Sequence, residues 1–312
     1  MNVRNQVFLI KVEPARGTDA VPDKTNDALD CGEVSVRLDK QPIDRVAVRR
    51  SFSALKREIG QKRLMFTFSV ELKGAGAVDV PPDVGPALIA CGMKETINAG
   101  VSVVYQPEVD LSDAQSVTCK LYVDGIMWAA VGCVGNVTQE NPPGGLAVLN
   151  FELEGLFSDI ADTALPTAPV FQATGPLRAI DAGLVFGAFA NAVVRNFRLV
   201  TGNKIIRPPN MNADDGIDPP EITFRDPTAS TEIDAVLEAT SPFYGDLEDR
   251  DTRAITYTLG SVAGNIVQVD IPAAAVDDVQ KGNADDKMTW RLDLQCCESA
   301  DGAADNYRFT FK

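Results

Sequence analysis

The feature that most restricts this chain is a period of two. Residues 146–155 read LAVLNFELEG, which puts Ala147, Leu149, Phe151 and Leu153 on one side of an extended backbone and Val148, Asn150, Glu152 and Glu154 on the other. Residues 288–296, MTWRLDLQC, repeat that design, with Met288, Trp290, Leu292, Leu294 and Cys296 on one face. A third stretch, LMFTFSVELK, turns Leu64, Phe66, Phe68, Val70 and Leu72 inward. Alternation of this kind scatters apolar side chains around a helix but collects them on one face of a strand, so these segments are half-buried strands.

Strand signals run in the same order twice. The first half has a strand at 33–38, a basic segment, LMFTFSVELK, the breaker GAGAVDVPP and a short helix in DVGPALIACGM, with Asp83 as N-cap and Gly92 at its end. Strands follow at 101–105, 117–123, 127–137 and 146–154, and Asp124-Gly125 marks a tight hairpin. The second half has a strand at 192–200, a polar loop ending at Pro219-Pro220, a strand at 221–225 and an amphipathic helix in STEIDAVLEAT, with Ile233, Val236 and Leu237 on one stripe. AITYTLG, IVQVDI, MTWRLDLQC and a closing YRFTFK complete it. The hairpin SVTCKLYVDGIMWAAVG holds the slot of AITYTLGSVAGNIVQVDI. The expectation is a mainly β chain of two tandem sandwich or barrel units, each with one short flanking α-helix, at 1–158 and 183–312. An Ala-, Thr- and Pro-rich linker at 159–182 joins them. A length of 312 residues suits two cores better than one.

Composition removes most catalytic readings. The chain has no histidine, and so lacks the commonest general base, nucleophile activator and transition-metal ligand. Carboxylate-only glycoside hydrolysis calls for a cleft lined with sugar-stacking aromatics, and the two tryptophans, Trp128 and Trp290, both lie in strand patterns. No glycine-rich phosphate loop follows a strand. Residues 210–221 place Asn210, Asn212, Asp214, Asp218 and Glu221 at calcium-loop spacing, but the sixth position is Asp215 and Gly216 comes one late, so the segment reads as a solvated acidic loop. Six cysteines (Cys31, Cys91, Cys119, Cys133, Cys296 and Cys297) lack a disulfide spacing and read as buried thiols. Val7 to Ile10 is too short for an export core and no apolar run could span a bilayer, so synthesis in the cytoplasm is expected, and Asn136-Val137-Thr138 is a chance sequon. No enzyme activity, cofactor, metal or membrane contact is expected.

Charge is high and polarised. A net charge of -15 opposes general affinity for nucleic acid. From 44 to 63, Arg45, Arg49, Arg50, Lys56, Arg57, Lys62 and Arg63 face only Asp44 and Glu58. From 210 to 251 there are twelve acids, among them Asp214, Asp215, Asp218, Asp246, Glu248, Asp249 and Asp251, against Arg225 and Arg250. Opposite poles on one chain point to self-recognition.

Taken together, ARGTDAVP, KREIGQKRLMFTFSVELKGAG, PPDVGPALIACGMKETI, SVTCKLYVDGIMWAAVGCVGNV and GGLAVLNFELEGLFSDIADTALP resemble the major tail tube proteins of long-tailed bacteriophages. The resemblance is closest across 7–170 and rests mainly on strand order from 183 to 312. It implies a virion protein made in the host cytoplasm, a β-sandwich with a flanking helix, and rings stacked into a tube through which DNA passes without specific binding. It also implies a tape measure protein and a tail terminator as partners, and a long loop between early strands that reaches the next ring; residues 39–63 match that loop. The basic cluster 45–63 is then expected to dock on the acidic 210–251 surface of another ring. Two units per chain make three chains per ring the favoured count, with six whole chains as the competitor. The alternative reading is a decoration or receptor- or carbohydrate-binding β-sandwich, which would expose an aromatic patch.

Overall fold

A computed structural model describes residues 1–312 except 1, 3, 47, 49–52 and 191. The first half contains β1 (Gln6–Val12), β2 (Ala28–Leu29), β3 (Ser35–Ile43), β4 (Glu58–Glu71), α1 (Gly85–Ala90), β5 (Met93–Asn98), β6 (Ser102–Pro107), β7 (Val117–Val123), β8 (Ile126–Glu140) and β9 (Val148–Asp162). The second contains β10 (Val185–Phe186), β11 (Val194–Val200), β12 (Asn203–Ile206), β13 (Glu221–Arg225), β14 (Thr228–Asp234), α2 (Phe243–Asp249), β15 (Thr252–Val262), β16 (Asn265–Ala284), β17 (Lys287–Cys297) and β18 (Arg308–Phe311). The fold is mainly β, and every named strand pairing is antiparallel.

Neighbour order repeats between the halves. In the first, hydrogen bonding runs β1-β7-β8-β9-β4-β3. In the second it runs β10-β15-β16-β17-β14-β11. Even an irregularity recurs. Cys119 opposes Ala130 and Val117 opposes Cys133 across a bulge, and Ile255 opposes Ile271 and Arg253 opposes Ala274 across its equal. Pro272 sits inside that second bulge, where the missing N–H costs no ladder bond. The helices also correspond, each lying in chain order between the strands placed fifth and second in its half (β4 and β7, β14 and β15).

The halves are joined by β8 to β11 and by β6 to β18. One apolar core runs through both, holding Phe66, Phe68 and Phe151 in the first half and Phe197, Tyr257 and Leu292 in the second. The segment 159–182 begins inside β9, which extends to Asp162.

Local readings differ from the sequence expectation at several points. STEIDAVLEAT is not a helix: Ala229, Thr231 and Ile233 alternate inward along β14, and α2 falls later, at FYGDLED. A period-two segment that pairs on both edges outweighs a three-residue helical stripe, and Leu237, the end of that stripe, is exposed. Asp83 does not cap α1, whose N-cap position is Val84. Residues 39–63 are not all loop, because β3 and β4 continue pairing out to Ile43 and Glu58 and form a hairpin arm. Asp124 and Gly125 both take positive φ, as a two-residue hairpin turn requires.

Candidate assembly surfaces

Pairing within the arm is copied elsewhere in the chain. In the first arm Lys40 opposes Lys62, Pro42 opposes Ile59 and Ile43 opposes Glu58. In the second half Asn203 opposes Arg225, Ile205 opposes Ile222 and Ile206 opposes Glu221. Each position is offset by 163 residues, and the same offset carries Val36 to Leu199 and Phe66 to Ala229. The basic segment and the acidic loop are therefore the same element in the two halves, with the sign of charge reversed.

The two arms differ in what covers them. The second lies back across the first half. Asn203 donates from Nδ2 to the carbonyls of Cys91 and Gly135, each at 2.8 Å, and Arg225 donates to the Glu108 carbonyl at 2.9 Å. Arg16 pairs with Glu221 at 3.0 Å, and Ile222 is 4% exposed beside Gly92. Pro219 closes the contact by packing on Gly17 and Gly132. Both glycines have positive φ and approach the proline so closely that a side chain at either would collide with it. Glu13 holds this seat together. Its Oε2 accepts from Gly17 N (2.7 Å) and Ser116 Oγ (2.6 Å), and its Oε1 from Gly132 N (2.7 Å) and Thr118 Oγ1 (2.9 Å).

The first arm is exposed along most of its length. Ile59, the counterpart of Ile222, is 57% exposed, and Val46 and Val48 are also open. Arg45 pairs with Glu58 at 3.1 Å and Arg57 with Asp44 at 2.7 Å, both in solvent. Arg49 and Arg50 lie outside the described residues. Lys56 is exposed. Lys62 reaches Asp215 of the second arm at 3.1 Å and sits over the Phe157 ring. Arg63 turns inward to Asp39 and to Glu154, and Arg207 joins the same Glu154 oxygen at 2.6 Å. Burial raises the Glu154 carboxyl above its ordinary value while Arg63 opposes the rise; hydrogen bonding from Arg63 lowers Asp39.

Of the acids, Asp214 is exposed and Asp218 accepts from Asn210 Nδ2 at 2.7 Å. Asp246 is buried against Arg253, whereas Glu248, Asp249 and Asp251 face solvent at the end of α2. The carboxylates of 214–221 thus turn to different partners.

A second surface is the seam between halves. Arg198 opposes Glu140, Leu199 opposes Gln139 and Val200 opposes Thr138, so the outer edge of β11 completes the part of β8 that β7 leaves free beyond Cys133. Beneath it, Tyr257 donates to Gln139 at 2.7 Å and accepts from Asn141 at 3.0 Å, a buried polar set that fixes the register.

The layer β3-β4-β9-β8-β11-β14-β17-β16 has one face in the core. The other carries Glu71, Glu152, Glu140, Glu232, Asp278 and Asp293 among serines, threonines and asparagines. Bases on that face, Arg37, Arg63, Arg198, Lys287 and Arg291, each contact a carboxylate of the same chain, Asp39, Glu154, Glu140, Asp234 and Glu232 respectively. The face is a net acidic plane.

Sequence reasoning found both charged segments but not their equivalence, although a Glu-Ile dipeptide recurs at 58–59 and 221–222 in matching places. No curated protein matches the chain. Residues 4–304 match the family described as phage tail tube protein. With that match spanning nearly its whole length, the chain belongs to the phage tail tube protein family and is a structural component of the virion tail.

Proposed function

We propose that three copies of this chain close a ring with approximate six-fold symmetry, that rings stack into the tail tube, and that the acidic face lines the bore. The observation that carries this is the seam. Phe68 and Thr231 share the 163-residue offset; Phe68 leads across Phe151 to Val137, and Thr231 leads across Leu292 to Val279. Gln280–Gly282 are thus the counterparts of Thr138–Glu140, and Ser35–Arg37 the counterparts of Arg198–Val200. Each of these counterparts has an unused edge among the described residues: β15 leaves β16 after Ala275, and β3 pairs only with β4. The seam formed once inside the chain can be formed again between chains, Ser35 opposite Gly282, Val36 opposite Lys281 and Arg37 opposite Gln280. A head-to-tail contact of this kind closes when its rotation divides the circle.

Lining follows from electrostatics. Retention of DNA grows with each cation that meets a phosphate, so a conducting bore needs its bases neutralised and its free groups acidic. The face across the seam meets that condition. A tape measure protein within the bore and a terminator at the end of the stack complete the assembly by family analogy. End-on averages of purified particles in the electron microscope are expected to show a hollow ring with three strict repeats. Six strict repeats, or no bore, would refute the reading.

A further inference from the structure

We infer that the first arm of one subunit docks on the second half of its neighbour within the same ring, in the seat that the second arm fills inside each chain. The inference rests on the ring reading and adds where the basic arm goes. The two seats correspond residue by residue. Ile10 opposes Cys119 and Phe186 opposes Ile255, so Glu13, Ser116 and Thr118 have Phe189, Thr252 and Ala254 as counterparts. The shared bulge makes Ala273 the counterpart of Gly132. In the first half this seat is covered by Pro219. In the second, Phe189, Thr252 and Ala254 line an open cavity of about 710 Å³ together with Gly187, Pro242 and Arg253.

The occupant is set by the same offset. Lys56 is the counterpart of Pro219, and Ile59 of Ile222. Ile222 is buried by its seat and Ile59 is bare, which is what an arm waiting for its seat should present. Charge agrees. Arg45, Lys56 and Arg57 are exposed on the arm, and Glu248, Asp249 and Asp251 are exposed at the end of α2, just before Thr252 of the cavity. Seam and seat also select the same neighbour, because β11 and the second arm both contact the first half of their own chain. Each subunit would then contribute one arm sealed in cis and one exchanged around the ring.

The test is a crosslink. Pro219 Cβ lies 2.7 Å from where a Cβ at Gly132 would stand, so cysteines at the counterpart positions come within disulfide reach once Ala273 sets the spacing. Tubes of the Lys56→Cys, Ala273→Cys double variant are oxidised with copper phenanthroline and run on denaturing, non-reducing gels beside each single variant. Covalent species that end at the trimer are expected. A ladder continuing past the trimer would mean that the arm links rings, and assembled tubes without any crosslink would mean that it docks elsewhere; either overturns the inference. Wild-type protein that forms no hollow particles instead removes the ring reading beneath it. Ile59→Asp provides the second measurement, since an exposed site leaves the fold intact. Folded monomers that no longer form rings are expected, and separated but intact rings would overturn the inference.

Discussion

Replacing Glu13 with glutamine tests how the seat of the second arm is built. The carboxylate is buried and its two oxygens accept four hydrogen bonds, two from backbone N–H groups and two from hydroxyls. Glutamine has the same shape but turns one oxygen into a donor. Whichever oxygen is replaced, one of Gly17 N or Gly132 N loses its acceptor, while the hydroxyl on that side can rotate to accept. A buried donor left unpaired costs about 1–3 kcal/mol, and the bonds that remain fall from charge-assisted to neutral strength, losing roughly 1 kcal/mol each. With three of the four bonds remaining, the sum is about 4–6 kcal/mol. Urea unfolding of the monomer should show a lowered midpoint that, multiplied by an unchanged slope, gives a loss of that size. A loss under about 1 kcal/mol would show that the Glu13 cluster does not hold the two glycines, and the account of the seat would fail.

Other consequences follow from the same geometry. Burial raises the Glu154 carboxyl, so the folded chain binds its proton more readily than the unfolded chain does; this contribution stabilises as pH falls from neutral toward the ordinary glutamate range and is lost as pH rises. Glu154→Gln should flatten that part of the stability-against-pH curve, and an unchanged curve would count against a buried charge there. Reversing Glu152 and Asp293 to lysine should leave rings intact but make tubes retain DNA at low salt, with retention falling steeply as salt rises; tubes that stay inert would argue that this face does not line the bore. Ile222→Ala should cost about 2–5 kcal/mol and expose the second arm to protease before the rest of the chain, whereas cleavage no faster than in the wild type would mean that the arm is held otherwise. Burial pushes the Cys31 and Cys296 thiols up to about 12, so partly exposed Cys297 should label first with a maleimide at pH 8.

Period-two segments were legible because one face of each is buried and the other solvated. Phe66, Phe68, Phe151, Leu292 and Leu294 all lie where alternation put them. The hairpin at Asp124-Gly125 was legible because few residue pairs accept positive φ twice. β5 and β12 were not, since Met93–Asn98 and Asn203–Ile206 carry little apolar pattern and are ordered by their partners β6 and β13. The second helix was misplaced because Ile233, Val236 and Leu237 satisfy a helical stripe locally, and only pairing with β11 and β17 decides against it. The equivalence of the arms was hidden for a different reason. Backbone register is set by pairing and bulge position, which leave side chains free to diverge, so Lys56 and Pro219 can occupy one place without any likeness in chemistry.

That divergence has a physical logic in a duplicated chain. In a ring of single units every junction is the same, and one arm must serve both to fold the subunit and to recruit the next. With two units in one chain, the inner junction forms at the high effective concentration of a tethered pair and needs no long-range attraction to find its seat. It can be dry and permanent, which fits the buried Ile222, the Pro219 contact and the Asn203 hydrogen bonds. The outer junction must be found by diffusion between chains of net charge -15, which repel one another. A basic arm aimed at an acidic helix end answers that repulsion locally and raises the encounter rate. On this reasoning, salt should slow ring formation far more than it weakens rings already closed, because steering acts over distances beyond a Debye length, where salt screens it, while the paired strands of the seam are held by contact. Assembly followed by light scattering after a salt jump, compared with dilution of finished rings at the same salt, separates the two. Equal sensitivity of both steps would mean that charge holds the ring and does not merely find it.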